Sequence, residues 1–229
     1  MNLWNKVIHS IFPSFCEVCK RPLNSDEVLV CNNCLKKLPF LTNCCKKCGT
    51  PGYSGDYCYY CLEHNFAFDR ARVVFRYKEP VNDWIKRLKF SKDFALGFNL
   101  GRLLRLILNP AQRDKEEFLC VTIPLSKERQ RARGFNQAEI IAKGMGFKTF
   151  NEVLKRVKNT PAQARLSAKE RWRNVKDAFI ASSEVKNRKV LLIDDVMTTG
   201  ATLNEAAKAL KSAGALWIEV LAVARNILD

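Results

Sequence analysis

The chain contains only two histidines, His9 and His64, and neither sits in a setting that marks a catalyst or a metal ligand. His64, just beyond Cys61, is at most a remote spare for a metal. No run approaches the roughly eighteen consecutive apolar residues that a membrane-spanning helix needs. Neither G-x-x-x-x-G-K-[ST] nor G-x-G-x-x-G occurs, which argues against nucleoside triphosphate and dinucleotide folds. Met1 to Phe15 lacks a continuous apolar core and a small-residue cleavage site, so it is not read as a signal peptide. Leu3, Trp4, Val7, Ile8, Ile11 and Phe12 there recur at helical spacing and predict a short amphipathic helix ended by Pro13. Its expected use is docking onto the chain's own body, with a membrane surface as the alternative.

Acidic residues are also scarce, 23 against 39 basic ones, for a net charge of +16. Basic exceeds acidic by 12 to 5 in residues 66–115 and by 17 to 8 in 116–190. The ratios are 7 to 5 in residues 1–65 and 3 to 5 in 191–229. A basic centre of this kind attracts polyanions or phosphorylated small molecules, the plainer account being a generally basic surface. With 229 residues and 47% hydrophobic content, one or two domains with a true core are expected, not a disordered chain.

What is abundant is cysteine, confined almost wholly to one stretch. Cys16-x-x-Cys19, Cys31-x-x-Cys34, Cys45-x-x-Cys48 and Cys58-x-x-Cys61 make four regular pairs, with Cys44 as an extra neighbour and Cys120 alone in an apolar segment. Each C-x-x-C turn offers two thiolates to one ion, and two turns complete a tetrahedral site. Eight ligands therefore predict two zinc ions, paired either consecutively or cross-braced, with iron–sulfur as the minor alternative. Thiolate ligation fits a reducing compartment, so a cytoplasmic protein is expected. The region is poor in aliphatic residues, so metal must supply much of its folding energy.

Further on, residues 67–77 partly alternate and predict a strand opening a second domain, giving units over 1–65 and 66–229. Residues 81–108 carry helical spacing with a break near Ser91. Phe118 to Pro124 reads as a strand meeting a loop, followed by Arg129, Arg131 and Arg133. Gly134 to Gln137 then opens a helix, with Asn136 its expected cap. Lys155 to Asp177 is polar and basic, and reads as a lid or as a surface loop and hairpin. Lys189 to Ile193 is a buried strand, Asp194 to Gly200 a turn, Thr202 to Ser212 a helix and Leu216 to Val223 a further strand. That succession defines an α/β unit with a parallel sheet.

The turn concentrates the chemistry. Thr198-Thr199-Gly200 at a helix start can aim backbone N–H groups and hydroxyls into one concavity, as a phosphate monoester requires. Asp194 and Asp195 just before it would repel that phosphate unless they face neighbouring hydroxyls or a metal ion. A ribose 5-phosphate has both features. Helix capping by the two aspartates is the duller alternative.

Val190 to Thr202, V-L-L-I-D-D-V-M-T-T-G-A-T, resembles the type I phosphoribosyltransferase signature. Together with the four C-x-x-C pairs, I-P-L around Pro124, R-x-R-G-F-N-Q from Arg131 to Gln137, and the pattern from Thr160 to Phe179, the chain is similar to the ComF family of bacterial competence proteins. The resemblance implies a type I phosphoribosyltransferase fold, a central mostly parallel sheet flanked by helices, preceded by a small zinc-knuckle module. It implies phosphoribosyl pyrophosphate or a related 5-phosphoribosyl ligand, held with magnesium. Asp194 and Asp195 would take the ribose hydroxyls and act as the catalytic pair. Val196, Met197, Thr198, Thr199, Gly200 and Thr202 would wrap the 5-phosphate. Pro124 and Leu125 would form the pyrophosphate loop, with Arg129, Arg133, Arg165 and Arg171 as candidates for a charged clamp.

The implied setting is DNA uptake in natural transformation, either through a phosphoribosyl-binding protein with or without turnover or through a non-catalytic binder of nucleic acid or protein. Single-stranded DNA and competence DNA-processing proteins are the implied macromolecular partners, and the periphery of the inner membrane is an alternative location. A phosphoribosyltransferase of nucleotide metabolism is the remaining alternative.

Overall fold

A computed structural model describes residues 14–53, 55–108, 117–159 and 167–226. The amphipathic helix expected over 1–13 lies outside them, as do Thr160, Pro161, Gln163 and Arg165. The strands are β1 (Arg70–Arg76), β2 (Phe118–Thr122), β3 (Leu154–Arg156), β4 (Phe179–Ala181), β5 (Lys189–Met197) and β6 (Trp217–Arg225). The helices are α1 (Asn32–Leu35), α2 (Tyr59–His64), α3 (Val81–Ser91), α4 (Phe94–Leu108), α5 (Lys127–Arg133), α6 (Gln137–Gly144), α7 (Ala168–Val175) and α8 (Ala201–Ser212).

The main sheet runs β1-β6-β5-β2 with every neighbouring pair parallel, and β3 pairs antiparallel with β4. Along β5, Val190 and Leu192 enter one core while Leu191 and Ile193 enter the other. Burial on both faces is what an all-parallel sheet requires, and it explains the unbroken apolar run. One face carries α8 and the β3–β4 hairpin, the other α3, α4 and α6. The expected α/β fold with a mostly parallel sheet is therefore present. No helix among the described residues is long and apolar enough to cross a membrane.

The break near Ser91 is a left-handed Lys92 (φ 55°), after which the Asp93 carboxylate accepts from the Leu96 N–H at 3.0 Å and starts α4. Helices α4 and α6 meet backbone to backbone: a Cβ on Gly101 would stand 2.2 Å from the Ile141 carbonyl oxygen. Asn136 caps α6 as expected, accepting from the Ala138 N–H, and its amide also donates to the Ile123 carbonyl at 3.0 Å. One side chain thus anchors the loop that follows β2. Such a cap contributes about 1 kcal/mol.

The structure corrects the reading of residues 194–197 as part of a turn. Strand β5 continues to Met197 because β6 runs alongside it, pairing Asp194 with Ala222 and Met197 with Arg225. The arginine-rich stretch after β2 is also helical, as α5, with Ser126 accepting from the Arg129 N–H at its start.

The cysteine-rich segment straddles the sheet. Cys16 and Cys31 pack into the core of the α3–α4 face, whereas Cys45, Cys48, Cys58 and Cys61 belong to the core of the α8 face. Between the two, residues 39–41 lie along the outer edge of β1. Phe40 bridges Phe75, Leu41 N–H donates to the Val74 carbonyl at 2.9 Å, and Arg76 N–H donates to the Pro39 carbonyl at 2.7 Å.

Candidate functional site

Two groups of four cysteines hold the metal-binding geometry. Sγ atoms of Cys16, Cys19, Cys31 and Cys34 lie within 4.8 Å of one another, as do those of Cys45, Cys48, Cys58 and Cys61. Pairing is therefore consecutive, not cross-braced. Sulfur separations include 3.8 Å for Cys19–Cys31, 3.6 Å for Cys45–Cys61 and 3.5 Å for Cys48–Cys58. A zinc tetrahedron with bonds of about 2.3 Å has edges of about 3.8 Å, so the donor sets fit structural zinc. Burial pushes Cys34 up to about 12 and Cys48 up to about 11, so four thiolates at either centre call for a cation. Cys44 stays outside the second group and bridges Pro51. His64 stacks on Trp172 at 4.8 Å instead of joining either centre.

At the carboxyl ends of β2 and β5 opens a cleft of about 470 Å³. Its lining brings together Pro124, Leu125, Arg129, Arg133 and Arg171 with Asp194, Asp195, Val196, Met197, Thr198, Gly200 and Thr202. Ligands in open α/β sheets bind at this end of the strands. Thr199 is the exception within the loop. It is buried, its hydroxyl accepts from the Ala201 N–H at 3.3 Å, and its carbonyl accepts from the Tyr60 hydroxyl at 3.1 Å. Gly200 adopts φ 80°, and a Cβ there would stand 2.8 Å from Met197 Cε and 3.0 Å from Phe66 Cε1. Only glycine meets both demands.

Several lining residues are given no binding role by the sequence. Lys89 enters from α3 and places Nζ 2.8 Å from Asp195 Oδ2. Arg156 enters from β3, while Tyr77, Phe90 and Gln137 complete the walls. Gln137 is buried; its Oε1 accepts from Arg133 at 3.0 Å, and Nε2 lacks a partner among the described residues. That leaves one buried amide donor on the cleft wall. The sequence placed Gln137 at a helix start and at the end of the R-x-R-G-F-N-Q motif, with no role in the cleft.

Five basic side chains in the lining face two carboxylates, a balance suited to a polyphosphorylated ligand. Burial lifts the Asp194 carboxyl to about 7, reinforced by the Asp195 charge and opposed by Lys89 and Arg129. Burial also lowers Arg156 to about 10, and lowers Arg133. Burial thus disfavours charge on both sides of the cleft, and the facing acidic and basic groups partly offset that cost for one another.

Comparison with known proteins accords with both halves. The family described as "Phosphoribosyl transferase domain" matches residues 132–227, and "Double zinc ribbon domain" matches 7–62. The fold and its site thus define a phosphoribosyltransferase-type domain joined to a double zinc ribbon. Competence protein F of Haemophilus influenzae is 34% identical over 221 residues, covering 92% of this chain and 96% of that protein. DNA utilization protein YhgH of Escherichia coli K12 is 31% identical over 223 residues, covering 94% and 98%. Competence protein ComFC of Streptococcus pneumoniae is 34% identical and covers 67% of each chain. The chain belongs to the ComF family of competence proteins. Among solved structures, an allosteric regulatory enzyme of purine biosynthesis overlaps 61% of this chain and 30% of its own, at 19% identity and a TM-score of 0.40.

Proposed function

We propose that the cleft binds phosphoribosyl pyrophosphate, or a closely related 5-phosphoribosyl compound, in a protein that serves DNA uptake. The observation carrying this reading is the coincidence, in one cleft, of the Asp194–Asp195 pair, the Gly200 turn and a basic rim. Asp194 and Asp195 take the ribose 2′ and 3′ hydroxyls. The stretch from Val196 to Thr202 takes the 5-phosphate. Pro124 and Leu125 hold the diphosphate, clamped by Arg129, Arg133 and Arg171 beside Arg156. Thr199 contributes through its backbone. Magnesium fits the same carboxylates and, when bound, neutralises charge on the diphosphate. Loss of that leaving group from C1 is the step these arginines are placed to favour. Zinc at the two four-cysteine centres is structural. Units over 1–65 and 66–229, and a cytoplasmic location, belong to the same reading.

The names of the competence relatives support the setting, and the basic excess over residues 66–190 supports contact with single-stranded DNA or DNA-processing proteins. Replacing both aspartates with asparagine tests the assignment. Calorimetry should show loss of phosphoribosyl pyrophosphate binding with single-stranded DNA affinity unchanged or increased. Unchanged phosphoribosyl pyrophosphate affinity in that double variant overturns it. A screen for pyrophosphate release across bases, nucleosides and amines then identifies any acceptor.

A further inference from the structure

We propose that the second cysteine knuckle is a positioning element of the phosphoribosyl loop, acting through Tyr60, so that metal retention by Cys45, Cys48, Cys58 and Cys61 and ligand binding beside Gly200 are linked. This inference rests on the reading of the cleft given above.

Tyr60 lies inside the Cys58-x-x-Cys61 turn, so its backbone is fixed by the same four thiolates that hold the metal. Its hydroxyl donates to the Thr199 carbonyl at 3.1 Å. Thr199 in turn keeps its hydroxyl on the Ala201 N–H at 3.3 Å, at the first residue of α8. The chain of contacts from metal ligand to phosphate turn is therefore one side chain long. Phe66 supports the same turn, reaching within 3.0 Å of the position a Cβ on Gly200 would take, and its ring lies 5.8 Å from that of Tyr60.

A second connection runs back from the sheet. Arg225, 5% exposed at the end of β6, donates to the Thr50 hydroxyl at 3.3 Å, and its charge faces Cys48, Cys58 and Cys61. Its neighbour in register is Met197, the last residue of β5 before the phosphate turn. Four thiolates around one zinc carry a net negative charge, and a buried guanidinium beside them offsets it. The first knuckle reaches the body elsewhere, through Glu17 paired with Arg87 at 2.8 Å on α3. The coupling is thus specific to one centre.

If the metal orders Tyr60 and Tyr60 orders Thr199, a ligand that orders the turn must retain the metal to the same degree, because binding couplings are reciprocal. A knuckle that merely completes the core would show no such reciprocity.

The test uses the full-length, zinc-loaded protein and its Tyr60→Phe variant, which keeps the ring and all eight ligands. Zinc release to a chromogenic chelator is followed with and without saturating magnesium phosphoribosyl pyrophosphate, and amide exchange of residues 198–203 is measured without ligand. In the wild type, ligand should slow release of one zinc severalfold and leave the other unchanged. Tyr60→Phe should retain two zinc ions, exchange faster at those amides and bind ligand about three- to tenfold more weakly, the range of one neutral hydrogen bond. It should also lose most of the protection. Ligand binding that leaves both release phases unchanged overturns the proposal, as does wild-type exchange in the variant. If the wild type does not bind the ligand, the functional reading fails and exchange alone decides. Faster exchange in Tyr60→Phe then supports the positioning role, and equal exchange removes it. If the variant loses a zinc ion, ligand-dependent release from the wild type decides.

Discussion

Lys89 Nζ lies 2.8 Å from Asp195 Oδ2, and this pair ties helix α3 to the ligand end of strand β5. Lys89 also opposes the upward displacement of the Asp194 pKa. Lys89→Met should therefore raise the Asp194 proton affinity further. A tenfold rise in that affinity should weaken magnesium phosphoribosyl pyrophosphate binding at neutral pH by up to about tenfold. Calorimetry across neutrality checks this: the rise in affinity with pH should move to higher pH in the variant.

Asp194 itself should trade stability against binding. Its folded-state value, about 7, lies above the ordinary carboxyl value of 3.8. The ionised folded protein therefore carries a penalty that grows as pH climbs from the unfolded value through about 7 and vanishes below both. Asp194→Asn should stabilise the ligand-free protein at and above neutrality by about 1–2 kcal/mol, less than the whole gap between the two values implies because Asp194 is only partly buried and shares its titration with Asp195. Thermal melts at several pH values should show the advantage shrinking on acidification, while ligand binding is lost.

Gly200→Ala introduces a Cβ at φ 80° into the space held by Met197 and Phe66. A loss of about 1–3 kcal/mol in stability is expected, together with ligand binding reduced beyond what that loss explains. Denaturant melts and calorimetry on the same sample separate the two effects.

The two knuckles should differ when broken. Cys58 is buried in the core that also holds Met197 and Leu203, on either side of the Thr198–Gly200 turn, whereas Cys19 is exposed. Each of Cys58→Ser and Cys19→Ser should lower the zinc content from two ions toward one by elemental analysis. Cys58→Ser should cost more stability and impair ligand binding, and Cys19→Ser should leave binding near wild type.

Local signals in the sequence carried much of the site and missed what folding brings from afar. The acid pair after an apolar strand and the C-x-x-C turns are each encoded within a few neighbouring residues, so they were legible. Lys89 and Tyr77 reach the cleft from α3 and the end of β1, and nothing near them in the chain marks their destination, while Arg156 arrives on β3 from a stretch whose basic character pointed to a lid but singled out no residue of that strand. Helix α5 buries none of its residues, so it has no apolar period to detect. Strand β5 extends past Ile193 because of a partner in β6, and pairing of that kind is invisible in one strand alone. The threonines of the loop look equivalent in sequence, yet only the fold turns Thr199 toward Tyr60 and Ala201.

The strip at residues 39–41 decides how this protein can be dissected. It occupies the hydrogen-bonding edge of β1, while the cysteine centres on either side of it grip opposite faces of the sheet. Cutting the chain at residue 65 would strip that edge bare and leave an unpaired strand as a template for another molecule. A zinc ribbon that clasps its neighbour around an open border therefore acts as that neighbour's edge guard, and a fragment of residues 66–229 is expected to self-associate where the full chain does not.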